Sequence, residues 1–441
     1  MNRLLKEKVH KLGDILAEEG LFHKKQIEEA ERKKIAGRGK STIGLPESFS
    51  YPSLDKGADG IYLMARQEGE RVLVILYEKG SKPIQRQKFE GKLIKGASRE
   101  ALLCPYGHTN ASALRDTFPY TCPRVLGRIP AFGMGYRPAW GWGNVAQALV
   151  ARELGLSVIL AQQSAREVER TGRTFQDVVD RATWSAFEAH LTLPWGADGD
   201  HLKTESHVRQ AVAAGCTYFT YDPSDEIQDR VKGAKVEELQ GNNLEEAFRE
   251  AVPDGTTRNR LYKLYQGRPF NIPDYQGRGF LIYEFRPEDM MRIAVKYYQA
   301  LKKVAELYRL TKELKGSLPF ETEVSIDETE TETTLLAQIF ISSELKKMEV
   351  EFVGLAPRFS GYFEKAIDYY QDIKSGHKLT DIKNFESRLK EIVALAGYFH
   401  YKISVHSGSD KFLIYPVLAK IAPGLLHLKT AGTSYVEEMK I

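Results

Sequence analysis

The chain has 441 residues, 42% of them apolar and 28% charged, which supplies both a large core and a soluble surface and excludes disordered and collagen-like classes. The net charge of +4 belongs to residues 1–40, which carry 11 Lys/Arg against 7 Asp/Glu. The remainder is balanced, which argues against a basic face for nucleic acid.

No apolar run approaches the roughly 18 residues that a membrane-spanning helix needs. The opening MNRLLKEKVHKLGD lacks an apolar stretch of signal-peptide length, so a cytoplasmic protein is expected. Cys104, Cys122 and Cys216 are too far apart in sequence for a disulfide framework or a cysteine zinc site. In residues 1–40, Leu4, Leu5, Val9, Leu12, Ile15 and Leu16 recur at helical spacing, and a second charged helix follows Gly20. Such a pair serves packing or oligomerisation, which leaves a homo-oligomer open.

Residues 41–121 read as a connector and a small β-rich region. GRGKSTIGLPESFSYPSLDKGADG is rich in Gly, Ser and Pro, and its GRGKS lacks the spacing of a phosphate loop. GIYLMARQ, ERVLVILYE and PIQRQKFEGKLI predict a small antiparallel sheet ending near residue 95. From residue 122 to 441, strand and helix patterns alternate. Eight strands are expected at 125–133, 157–163, 190–198, 217–222, 322–327, 350–358, 401–407 and 425–430. This is the signature of an α/β fold of the TIM type, a (β/α)8 barrel. The gap after the fourth strand requires an insertion, placed at 228–300 around RNRLYKLYQGRPFNIPDYQGRG.

Barrel strands alternate inward and outward residues, and the outward set must be apolar under the helices. That rule turns Glu323, Ser325 and Asp327 inward, with Lys402, Ser404, His406, His427, Lys429, Tyr218, Thr220 and Asp222; Arg358 falls on the inward set of its strand. Val, Ile and Leu would fill a merely structural lumen. Buried charges cost several kcal/mol each unless paired, so charges gathered at one rim predict an active site there. His201, His406 and His427 lie at or just past strand ends, beside Asp198, Asp200, Asp222, Asp327 and Glu328. Three imidazoles with neighbouring carboxylates suit a divalent cation such as Zn, Mn or Ni; the competing view is a hydrogen-bonded rim histidine. Gln162, Gln163, Arg358 and Lys429 offer donors to a polyhydroxylated anionic ligand. GMGYRPAWG lacks the dinucleotide spacing, so NAD is not expected. The acidic run DETETE is either a solvated face or part of the rim.

The runs AQQSAREVERTGRTFQDVVDRATW, GADGDHLK, FTYDPSD, EVSIDETET, YKISVHSGSDKF and HLKTAGTSYVE, spread over about residues 120–438, resemble the tagaturonate/fructuronate epimerase family of bacterial hexuronate catabolism. The resemblance implies a metal-dependent isomerase acting at C4 of a small sugar acid. It implies Asp200 as base, Glu323 as acid with Asp327, Glu328 or Glu330 open for that role, and His201, His406 and His427 as metal ligands. GMGYR, with Tyr136, departs from the family's form and leaves uronate against neutral ketose open. A C4 proton in a 2-ketose is not acidic, so retro-aldol cleavage and re-addition is the expected route. The alternatives are another barrel enzyme on sugar acids or ketoses, such as an aldolase, a ketose isomerase or a tagatose/fructose 4-epimerase, or a degenerate barrel used for binding. Strand eight ends near Thr430 and the chain stops at Ile441, which predicts a barrel truncated in its last helix and marginally stable.

Overall fold

The computed structural model describes residues 37–38, 48–57, 60–67, 70–80, 85–95, 99–135, 144–364, 367–370 and 382–432. The expected helical pair of residues 1–36, Tyr136 and the segment SYVEEMKI lie outside them. The chain forms two compact units. The first draws on Met1–Pro123, Trp140–Leu156 and Gln176–Pro194, and the second on Arg124–Ala139, Ser157–Phe175 and Trp195–Ile441.

The first unit holds an antiparallel sheet of six strands in the order β1-β2-β3-β4-β6-β5. They are β1 (Gly37–Arg38), β2 (Ser48–Lys56), β3 (Ile61–Gln67), β4 (Glu70–Glu78), β5 (Lys92–Lys95) and β6 (Arg99–Pro105). The stretch expected to be a connector thus supplies two strands, and the sheet runs ten residues further than its predicted end. Period-two alternation divides its apolar residues between two faces. On one face Tyr62, Met64, Leu73, Ile75, Leu102 and Cys104 pack with Ala111 and Leu114 of α1 (His108–Thr117). This unit also holds α2 (Val145–Leu154) and, beyond the short α3 (Ala165–Arg170) of the other unit, most of α4 (Phe175–Ala189), whose Trp184 and Phe187 join the same cluster.

The second unit is a closed parallel barrel of eight strands, in the order expected of a TIM fold. Its strands are β7 (Ala131–Gly133), β8 (Val158–Ser164), β9 (Trp195–Leu202), β10 (Tyr218–Tyr221), β15 (Glu321–Ile326), β16 (Gly354–Pro357), β17 (Lys402–Val405) and β18 (Leu426–Lys429). The outward residues Phe219 and Tyr221 of β10, Val324 and Ile326 of β15, Ile403 and Val405 of β17 and Leu428 of β18 are buried, Leu426 is partly buried, and Tyr221 reaches Thr311 of α8 (Pro287–Lys315) at 2.7 Å. Side-chain hydroxyls cap the helices that follow the strands: Ser164, the last residue of β8, caps α3, and the loop residues Thr204 and Thr334 cap α5 (Glu205–Ala213) and α9 (Leu335–Lys347).

The insertion after β10 consists of the hairpin β11/β12 (Arg230–Val231, Ala234–Lys235), α6 (Gly241–Ala251), α7 (Gly255–Tyr265) and the hairpin β13/β14 (Phe270–Pro273, Phe280–Tyr283). The 29-residue α8 follows, opened by Pro287 and closed at Gly316, whose φ is 55°. Helices α10 (Ile382–Phe399) and α11 (Tyr415–Ile421) complete the described chain. Among the described residues no helix is long and apolar enough to cross a membrane. At the foot of the barrel Glu321 accepts from the backbone of Leu126 and Gly127, and the Lys402 ammonium donates to Gly127 O at 2.8 Å. The lowest lumen charges therefore fix the loop that closes that end, and the remaining polar residues gather at the strands' C-terminal ends.

Candidate active site in the barrel lumen

Strand β9 reads WGADGDHL and carries the first part of the site. The third strand was expected at 190–198; it instead runs to Leu202, with Asp200 and His201 inside it. Tyr218 pairs with Asp198 and Phe219 with Gly199, but Tyr221 pairs with Leu202, so β9 holds one extra residue. His201 absorbs it with φ at 54°, a conformation rare for a residue with a Cβ. The bulge lets neighbouring residues both serve the lumen. Asp200 is buried and accepts from Gln162 Nε2 at 3.2 Å, and His201 Nδ1 lies 3.0 Å from Asp222 Oδ2. Gln163 pairs with Gly199, whose missing Cβ would point at Ala211 of α5, so Gln163 faces the helices. There it accepts from Arg173 at 2.6 Å. Gln163, expected at the site, is thus kept out of the lumen, and Glu330, expected as an alternative acid, is exposed and paired with Arg230.

Lys429 and Glu323 organise the centre. The Lys429 ammonium lies 2.8 Å from Asp200, 2.9 Å from Glu323, 3.1 Å from Asp198 and 2.9 Å from the Thr220 hydroxyl. Glu323 is fully buried. Its Oε1 meets Lys429 and His406 Nε2 (2.7 Å), while Oε2 meets His427 Nδ1 (3.0 Å) and the Tyr218 hydroxyl (2.9 Å). Alternation puts Tyr218 and Thr220 in the lumen without giving either a role; their bonds supply one.

The protonation states follow from these contacts. Burial alone would raise Glu323, but Lys429 and the hydrogen bonds from His406 and His427 hold it well below the usual carboxylate range. Asp198 is pushed up to about 7 by burial, with Asp200 and Glu323 adding to the shift and Lys429 opposing it. Burial opposes charge on Lys429, yet three carboxylates around it keep its ammonium well above the ordinary value. Burial would lower His406, but Asp327 at 3.2 Å from Nδ1 and the bond to Glu323 raise it to about 10. His427 drops to about 4 because burial dominates, so it stays neutral and donates Nδ1–H to Glu323.

Each rim histidine therefore has Nδ1 against a carboxylate: His201 with Asp222, His406 with Asp327 and His427 with Glu323. In metal sites that arrangement leaves Nε2 as the ligating nitrogen; His406 Nε2 is instead taken by Glu323 at 2.7 Å, so a cation there would have to displace its proton. His427 Nε2 is buried without a hydrogen-bond partner, an orphan that a cation would satisfy. The His201 and His406 rings meet with centroids 5.0 Å apart, whereas His427 lies beyond Glu323. Ligand atoms of His201, Asp222 and Glu328 also lie within 4.8 Å of one another. The donor set of imidazoles and carboxylates fits a divalent cation. Arg358 is half-buried, with Nη1 3.4 Å from Asp327 O, and Asp327 accepts from Ser325 at 2.5 Å.

Residues 51–441 match the model of the UxaE family, tagaturonate epimerase. The chain belongs to this family. The curated tagaturonate/fructuronate epimerase of Thermotoga maritima is 36% identical over 397 residues, spanning 90% of this chain and 75% of that protein. The one-glycerol crystal structure of the fructuronate-tagaturonate epimerase of Cohnella laeviribosi matches at 29% identity with a TM-score of 0.76, covering 88% of this chain and 73% of that one. Its native crystal structure matches at a TM-score of 0.75. Membership places this UxaE-family chain among the carbohydrate epimerases, a class of isomerase.

Proposed function

We propose that the chain is a cytoplasmic, metal-dependent epimerase that interconverts D-tagaturonate and D-fructuronate at C4 in hexuronate catabolism. The observation that carries the reading is the pair of buried carboxylates, Asp200 and Glu323, on different strands and bridged by one ammonium at 2.8 and 2.9 Å. It stands beneath a rim of histidines in a chain of the tagaturonate epimerase family.

The cation would be held by His201, His406 and His427, and when bound it supplies Lewis-acid stabilisation to the oxygens at C2 and C3. Asp200 accepts the proton of the C4 hydroxyl as the C3–C4 bond breaks. The aldehyde half turns over and the bond re-forms on its other face. Glu323 then returns a proton to the C4 oxygen, so that one proton leaves the sugar and one comes back. Glu323 is anionic in the ligand-free arrangement, so its turn as acid needs a proton delivered first. The ammonium of Lys429 touches both carboxylates, so within each turnover it gives a proton to Glu323 and takes back the one that Asp200 has accepted, before the bond re-forms. Gln162 orients Asp200, and Arg358 beside Asp327 offers the anionic end of the sugar a partner.

The test is a product analysis by NMR with purified protein, D-tagaturonate and, in parallel, fructose, after chelation and after restoring Zn, Mn or Ni. Appearance of D-fructuronate only in the metal-restored samples supports the reading. Net release of three-carbon fragments points to an aldolase, and turnover of fructose alone to a neutral-ketose epimerase.

A further inference from the structure

The geometry points to Tyr218 as a positioning residue that locks the Glu323 carboxylate, with Gly354 as the gap that lets its hydroxyl reach. This rests on the assignment of Glu323 to the acid–base pair. Tyr218 is buried on β10, and its hydroxyl donates to Glu323 Oε2 at 2.9 Å and stands 3.4 Å from His427 Nδ1. Its ring meets His427 edge to face, with centroids 5.4 Å apart, and the Lys402 ammonium lies 5.7 Å from the ring centroid. The phenol is thus held by ring contacts and is not free to follow a moving carboxylate.

Gly354 is the register partner of Glu323 on β16. A Cβ at this position would lie 2.6 Å from the Tyr218 hydroxyl oxygen and 2.9 Å from Glu323 Oε2. Gly354 is not among the glycines with positive φ, so its backbone conformation does not demand glycine and the space does. The absent side chain leaves the volume in which phenol and carboxylate meet. With Oε2 held by Tyr218 and His427, Oε1 is turned toward Lys429 and His406. Without the hydroxyl, Oε2 keeps only His427, and the carboxylate is held less firmly as the acceptor for the protons on Lys429 and His406.

Steady-state kinetics on D-tagaturonate with the metal-loaded full chain, together with calorimetric metal titration, test this in wild type, Tyr218→Phe, Gly354→Ala and the double variant. Tyr218→Phe is expected to lower kcat about ten-fold, the effect of losing one hydrogen bond to a charged group. KM and metal affinity should stay within about two-fold, the mark of an interaction used in the chemical step. Gly354→Ala should lower kcat as well, and the double variant should match Gly354→Ala within about two-fold, because both changes break the same contact. An unchanged kcat in Tyr218→Phe, or losses that multiply in the double variant, would overturn the inference. Should Gly354→Ala fail to fold, Tyr218→Phe alone decides. A wild type that does not convert tagaturonate instead overturns the functional reading on which it rests.

Discussion

Lys429 shows why a single residue type is ambiguous until its neighbours are known. As a sequence symbol it is a lysine at a strand tip, equally suited to grip an anion or to pair a carboxylate. In the fold its ammonium stands among Asp198, Asp200 and Glu323, all buried. Removing it would leave three carboxylates facing one another in a medium of low dielectric constant. Lys429→Met is therefore expected to destabilise the protein by about 3–5 kcal/mol, the cost of breaking a buried ion pair from one side. Urea denaturation checks this, and an unshifted midpoint contradicts it. Alternation along the strands made Glu323, His406, His427 and Lys429 legible as lumen residues, because outward neighbours such as Ile403 and Leu428 are apolar. It could not distinguish Lys402, which serves the closed end of the barrel, from Lys429, which serves the site.

At the scale of elements, the barrel strands were readable where apolar residues alternate and hard to read where glycine replaces them. Strand β9 extends past the expected end at residue 198 because Gly199 among aspartates resembles a turn in the sequence. Gly196 and Gly199 are strand residues at close approaches, to Ile159 and to Ala211 respectively. The strands of Ser48–Lys56 and Arg99–Pro105 were missed for a related reason: their pairing is tertiary, and Pro and Ser in the first mimic a connector. The loop after β15, read as either a solvated face or rim, has partners for its alternate glutamates. Glu328 meets Arg166 at 3.5 Å, Glu330 meets Arg230 at 2.9 Å and Glu332 meets Arg388 at 3.2 Å. The first two pairs are exposed and worth at most about 1 kcal/mol each, so they set the loop's course more than its stability. Gly135 makes the sharper prediction. A Cβ there would run into the backbone of Gln162, the residue that orients Asp200. Gly135→Ala should cost about 1–3 kcal/mol through overpacking, read as a lowered thermal midpoint. A midpoint equal to the wild type's contradicts it.

For the whole molecule, the family and the barrel agree with what the sequence motifs implied, since residues 51–441 match the family model and the eight strands close. The proposed cation would be a component that folding alone does not supply. An ion that binds only the folded chain at 100 times its dissociation constant adds about 2.7 kcal/mol of stability. Thermal melts with and without a divalent ion should show that gain in the wild type and lose it in His406→Ala. An equal gain in both would place the ion elsewhere. The central claim is that this lumen epimerises C4 by opening the C3–C4 bond and leaves the C4–H bond intact. Turnover of D-tagaturonate in D2O, followed by NMR of the D-fructuronate formed, measures that directly. The account predicts product that retains its proton at C4. Deuterium at C4 would mean that the C4–H bond is broken, and would contradict it.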